Sequence, residues 1–114
     1  MNGQANILDI VKFLERMKTL ISIGKYDFVP RRKNMQALAK YGLTILDAKN
    51  EMIRLVAGDY YKGPKRDFDL SRQGDIWEFK KDINGICFYI KVKIIEENGE
   101  DVLKCMGFHE DDFA

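Results

Sequence analysis

The sequence predicts an α+β domain spanning residues 1–114, with about three helices first and an antiparallel β-meander last. Three observations predict it. Apolar residues recur at three- and four-residue steps in the first half, and three runs in the last third alternate apolar with polar. Asn-Gly pairs stand between those runs, which is the strongest short hairpin signal. At this length the chain is a single unit with a real core.

Each element has its own signal. Ile7, Ile10, Val11, Phe13, Leu14, Met17, Leu20 and Ile21 form one helical stripe, a core-facing surface without chemistry of its own. Gly24 stands where a left-handed residue would end that helix. Lys25 to Lys33 reads as a connector, with Pro30 stopping whatever continues from Phe28. A second, shorter helix is expected from about Asn34 to Tyr41, closed by Gly42. Thr44 with Asp47 resembles a capping box and opens a third helix through Ile45, Ala48, Met52, Ile53 and Val56. The pair of helices around Gly42 looks like a helix-turn-helix, but that reading leaves the later strands unexplained. Asp59 to Gly74 is polar, with Gly63-Pro64 as a turn signal, and is expected to be a loop long enough to carry function. The meander follows in runs 75–83, 86–95 and 102–109.

The pairing of these runs sorts their side chains. A two-residue turn at Asn84-Gly85 pairs Glu78 with Lys91, Lys80 with Tyr89, Trp77 with Val92 and Phe79 with Ile90. Because strand side chains alternate, Glu78, Lys80, Tyr89, Lys91 and Lys93 share one face. Trp77, Phe79, Phe88, Ile90 and Val92 share the other and form the expected core. A two-residue turn at Asn98-Gly99 would send Met106 and Phe108 to the polar face. A three-residue loop, Glu97 to Gly99 with a bulge at Gly99, buries both instead, a gain of about 1.5–3 kcal/mol each. The sequence therefore favours the bulged turn, which puts Cys105, Gly107 and His109 on the polar face and His109 diagonal to Tyr89.

Composition narrows the function classes. An apolar fraction of 46% and a charged fraction of 32% are those of an ordinary soluble globular protein. No run approaches the roughly 18 apolar residues of a membrane span, and Met1 to Ala5 lacks the basic start of a secretory signal. Cys87 and Cys105 lie inside strand-like runs and read as free thiols of a reducing compartment. A cytosolic location without membrane attachment is expected. The net charge of +1 hides an asymmetry: residues 1–95 hold 18 Lys/Arg against 11 Asp/Glu, and residues 96–114 hold 1 against 7. A basic body suits an anionic polymer, while the total is too small for a strongly basic nucleic-acid binder. Clustering must carry the case.

The polar face of the meander is the cluster. Glu78, Tyr89, Lys91 and His109 supply a carboxylate, a phenol, an amine and an imidazole, the parts of general acid–base chemistry beside an anionic centre. Singly, each has an ordinary reading as a solvated sheet face, a cross-strand ion pair or a strand aromatic. One histidine and two strand cysteines offer no metal-ligand spacing, so neither metal nor cofactor is expected.

The blocks Asp59 to Lys62, Ile76-Trp77-Glu78, Tyr89 to Lys91 and Gly107-Phe108-His109 together resemble the MqsR (motility quorum-sensing regulator) family of bacterial toxins. The resemblance runs from about residue 8 through most of the chain. It implies a RelE-like fold, endoribonucleolytic cleavage of messenger RNA, and restraint by a cognate antitoxin. Lys62 matches the lysine of the family's Asp-Phe-Tyr-Lys block, and Tyr89 matches the tyrosine of its Tyr-Leu-Lys strand. Two positions depart from the pattern: Glu78 stands where glutamine follows Ile-Trp, and His109 stands where lysine follows Ser-Phe. A Glu/His pair is at least as capable of acid–base catalysis.

The expected mechanism is metal-independent attack of the ribose 2′-OH on the adjacent phosphate. Glu78 is the expected base, with Tyr89 positioning it or serving as an alternative base, and His109 is the expected acid. Lys62 and Lys91 would offset charge on the phosphate oxygens. Lys91, Arg72 and Lys80 are the expected substrate contacts, and RNA contacts beyond the scissile phosphate are expected from two basic patches, Arg31, Arg32 and Lys33, and Lys65, Arg66 and Arg72. Tyr60 and Tyr61 are candidates for stacking on unpaired bases. The competing class is a non-enzymatic module that binds protein or nucleic acid through the same face.

Overall fold

The computed structural model describes residues 4–67 and 73–112. Among them the fold is α+β: three α-helices and one five-stranded sheet in the order β1-β5-β4-β3-β2. The first helix, α1 (Ile7–Ser22), opens on Asn6, whose side chain accepts a hydrogen bond from the Asp9 backbone at 2.9 Å. It stops before Gly24, which is left-handed at φ 81°. Next come β1 (Tyr26–Phe28) and α2 (Arg32–Tyr41), the latter closed by left-handed Gly42. The capping box of Thr44 and Asp47 opens α3 (Ile45–Ile53), so Val56 lies beyond that helix and is exposed.

Two strands sit where the sequence suggests none. Residues 59–74 do not form a single loop: a short 3₁₀ turn, Ala57–Asp59, leads into β2 (Tyr60–Arg66), which pairs with β3 (Asp75–Ile83). Its Lys-Gly-Pro-Lys-Arg run is poor strand material, tolerated because β2 ends the strand order and Pro64 falls in the bulge between Lys62 and Lys65. The connector 25–33 contains β1, which runs parallel to β5 (Glu100–Glu110). The sheet is therefore mixed rather than wholly antiparallel. Three residues are too few for alternation to be read.

The first hairpin has the expected register. Between β3 and β4 (Ile86–Glu97), Trp77 pairs with Val92, Glu78 with Lys91, Phe79 with Ile90 and Lys80 with Tyr89. Asn84 and Gly85 both have positive φ, 53° and 87°, as a two-residue mirror-image turn requires.

The second hairpin corrects the expectation. Asn98 and Gly99 form the same two-residue turn, with φ 53° and 80°, and Glu97 pairs directly with Glu100. That register holds to Val92 opposite Cys105, then slips by one so that Lys91 faces Gly107 and Tyr89 faces His109. Met106 is the extra residue of this mid-strand bulge. The bulge buries Cys105 and Phe108 completely while leaving Met106 only partly covered, so Cys105 belongs to the core and Met106 does not. His109 lies directly opposite Tyr89 rather than diagonal to it.

Asn34 secures the bulge. Beyond Cys105 the outer edge of β5 has lost its partner β1, which ends at Phe28. The Asn34 amide takes the place of a strand: Nδ2 donates to the carbonyls of Met106 (3.1 Å) and Val29 (3.0 Å), and Oδ1 accepts from the Phe108 N–H at 2.9 Å. The side chain is 1% exposed, so these bonds stand in for water that cannot reach the edge.

Phe79, Phe88, Ile90, Val92, Cys105 and Phe108 face the helices with Ile10, Leu14, Met17, Leu20, Ile21, Ala48 and Met52. Phe13 stacks on Trp77 with centroids 4.4 Å apart. One face of the sheet is thus covered, and the polar face is left for the site.

Candidate functional site

Three concavities meet at Tyr89 on the polar face. The first, about 290 Å³, is lined by Lys62, Glu78, Lys80, Tyr89 and His109, together with Lys33, Tyr61, Asp111 and Asp112. The second, about 310 Å³, runs from Tyr89, Lys91, Gly107 and His109 to Arg31, Arg32 and Lys33. The third, about 290 Å³, joins Glu78, Tyr89 and Lys91 to Lys65 and Arg66. The structure therefore brings Glu78, Tyr89, His109, Lys62, Lys91 and Lys80 around one region. Arg72 lies outside the described residues.

Glu78 comes from the centre of β3 and is only 3% exposed. Its ion pair is with Lys65 of β2, not with Lys91, its partner across the ladder. The β2 bulges explain this, because they set Lys62 opposite Glu78 and let the Lys65 chain reach back to it. Lys65 was legible in the sequence only as one cation of a basic patch.

Tyr89 stands between Glu78 and His109. Burial, followed by hydrogen bonding to Glu78, raises its phenol above the ordinary tyrosine range. It therefore stays protonated at neutral pH and is a hydrogen-bond donor. Its ring lies against that of His109, with centroids 5.4 Å apart and planes tilted by 37°.

His109 Nδ1 lies 3.0 Å from the Glu110 carbonyl. A carbonyl can only accept, so Nδ1 carries a proton and Nε2 is the nitrogen left for chemistry. Gly107 lies between it, Lys91 and Tyr89. A Cβ there would sit 3.3 Å from Lys91 Cβ and 3.7 Å from both His109 Nε2 and Tyr89 Cε2. The absent side chain opens the floor between the three residues.

Lys91 is half-buried, and its ammonium is held below the ordinary lysine range, first by burial and then by the Arg31 cation. Lys80 is occupied: it pairs with Asp111 at 2.7 Å and lies over the Tyr61 ring at 3.9 Å. Asp111 raises the Lys80 pKa. Lys62 is exposed, 5.0 Å from the same ring. Tyr60 does not face the site; it packs edge-on against Trp77 and Phe79 and accepts a hydrogen bond from the Ala5 backbone at 3.0 Å. Of these two tyrosines, Tyr61 is the one at the cavity.

Among the described residues no group of three or more His, Cys, Asp or Glu side chains is placed to hold a metal ion. Nor is any helix of the described residues long and apolar enough to cross a membrane. Comparison with protein-family models, with curated proteins and with solved structures returns no match.

Proposed function

We propose that this protein is a toxin-type endoribonuclease that cuts messenger RNA by internal attack of the ribose 2′-OH. The observation that carries the proposal is the place of Tyr89 between two groups: it hydrogen-bonds Glu78, diagonal to it on β3, and directly faces His109 on β5, and all three line one cavity with Lys62. Glu78 takes the 2′-OH proton, and the 2′ oxygen bonds to phosphorus as the bond to the 5′ oxygen breaks. His109, as imidazolium, gives its Nε2 proton to that leaving oxygen. The products are a 2′,3′-cyclic phosphate and a 5′-OH, and no water is consumed. Tyr89, held protonated, positions the Glu78 carboxylate rather than acting as the base. Lys62 and Lys91 offset charge on the non-bridging oxygens, an electrostatic contribution that is usually large.

On this reading the substrate is mRNA, free or on the ribosome, the cell compartment is the cytoplasm, and a cognate antitoxin protein restrains the site. The resemblance to the MqsR family and its RelE-like relatives supports those partners. A second reading, a passive binding module, draws on the pairing of Lys80 with Asp111 and of Lys33 with Asp112, which leaves part of the surface already neutralised.

Cleavage of an end-labelled RNA by Glu78→Ala and His109→Ala proteins tests the proposal. Each should lose at least ~100-fold of the parent rate, the usual scale of one acid or base. A 3′-OH product would rule out the 2′-OH mechanism, and a parent protein that leaves RNA intact while binding it would favour the passive module.

A further inference from the structure

The first and second cavities on the polar face differ in one respect. The first holds Glu78, Asp111 and Asp112 among its lining residues. The second, between the start of α2 and the β5 bulge, is lined by Arg31, Arg32, Lys33, Lys91 and His109 among others, and no carboxylate lines it among the described residues. We propose that this second cavity is a subsite for an RNA phosphate, the one immediately 3′ of the bond that is cut; the polarity rests on the ribonuclease reading.

Three features support the assignment. Among the described residues, Arg31, Arg32 and Lys91 form no ion pair, although eleven such pairs occur elsewhere in those residues. Arg31 and Lys91 line the same cavity, and burial, then the Arg31 cation, act against the Lys91 ammonium more than Glu78 and Asp67 favour it, so an anion in the cavity would be attracted by both cations. The walls are also fixed in place. Asn34 ties the first turn of α2 to the bulge, and the Arg31 guanidinium reaches the Met106 carbonyl at 3.4 Å. That first turn carries no acidic side chain and no side-chain cap, so the dipole of α2 adds to the positive field without being its source.

Polarity follows from the wall that the cavities share. Tyr89 and His109 line both. With His109 protonating the 5′ leaving oxygen, the nucleotide attached to that oxygen departs on the His109 side. Its own 3′ phosphate then falls to Arg31, Arg32 and Lys91.

The test is binding of a dinucleotide whose 5′ residue is 2′-deoxy and which therefore cannot be cut, bare or carrying one extra phosphate at its 3′ or its 5′ end. In the parent protein the 3′ phosphate should tighten binding about tenfold, as a charge-assisted guanidinium–phosphate contact does. The 5′ phosphate should add less than about twofold, being only a screened surface charge. In an Arg31→Gln/Arg32→Gln protein, both positions being exposed, the 3′ gain should fall below about twofold with the melting temperature unchanged. A 3′ gain that survives the double substitution, or an equal gain from the 5′ phosphate, overturns the assignment. A parallel assay with the 2′-hydroxyl dinucleotide separates the two proposals. Arg31- and Arg32-dependent binding without cutting would refute the ribonuclease reading and keep the anion site, whereas cutting with an unchanged 3′ gain would refute the subsite alone.

Discussion

Glu78 and Lys91 sit opposite each other on adjacent strands, yet the environment treats them differently. Glu78 is covered and paired with Lys65, while Lys91 is half-buried, forms no ion pair among the described residues and has a lowered pKa. The linkage sign for Lys91 is definite. A lysine that holds its proton more weakly in the folded chain than in the unfolded chain costs stability below its folded pKa, and that cost fades as pH rises toward the unfolded value of about 10.4. Lys91→Met should therefore raise the melting temperature at neutral pH, with the gain shrinking in melts run near pH 10, while RNA cleavage falls. A variant less stable at neutral pH would contradict the burial account. Tyr89 permits a similar separation of roles. As a positioning donor, it should lose about tenfold in rate on Tyr89→Phe, with the pH–rate profile keeping its shape. Loss of the ascending limb, along which activity grows as the base loses its proton, would make it the base instead.

At the level of elements, the site depends on one bulge. The helix caps and the Asn84-Gly85 hairpin are legible in the sequence because they are written in residues adjacent along the chain. So is the pairing of Glu78 with Lys91 and of Lys80 with Tyr89, which the turn alone dictates. The Met106 bulge is not legible, since its determinant is Asn34, 74 positions away from Phe108. Burial of Met106 with Phe108 competes with the preferred turn type in the sequence, and the chain resolves the conflict by another route: it keeps the two-residue turn, buries Phe108 and Cys105, and leaves Met106 partly out. β2 was hidden by its Gly-Pro pair, and with it went the Lys65 contact to Glu78. Asn34→Ala should accordingly cost about 1–3 kcal/mol in chemical denaturation, because it strands buried backbone groups of Met106 and Phe108. The same substitution should also move the amide resonance of His109. A neutral effect on both would mean that the strand edge holds the bulge unaided.

Across the whole molecule, the acidic tail and basic body anticipated from the sequence are physically joined. Glu110 pairs with Lys40, Asp111 with Lys80 and Asp112 with Lys33, and the last two pairs occupy cations that line the first cavity. RNA must compete with them. Asp111→Asn should free Lys80 and steepen the salt dependence of RNA binding by about 0.7 in the log–log slope, the single-strand value for one added phosphate contact. An unchanged slope would leave Lys80 outside the RNA path. The two free thiols provide an independent check on the core. Cys87 is partly exposed, whereas Cys105 is fully buried with its pKa pushed up to about 12 by desolvation. Under native conditions one thiol should alkylate readily and the second only at the rate of global opening. Rapid reaction of both would be inconsistent with Cys105 in the core.

The central claim is that Glu78 and His109 cut RNA as a base and acid acting across Tyr89. Its most direct test is to incubate a labelled oligoribonucleotide with the purified protein, in parallel with folded Glu78→Ala and His109→Ala variants, and to identify the new ends. The account predicts 2′,3′-cyclic phosphate and 5′-OH ends from the parent and almost none from either variant. Parent-like cutting by both variants, or fragments ending in 3′-OH, would contradict it.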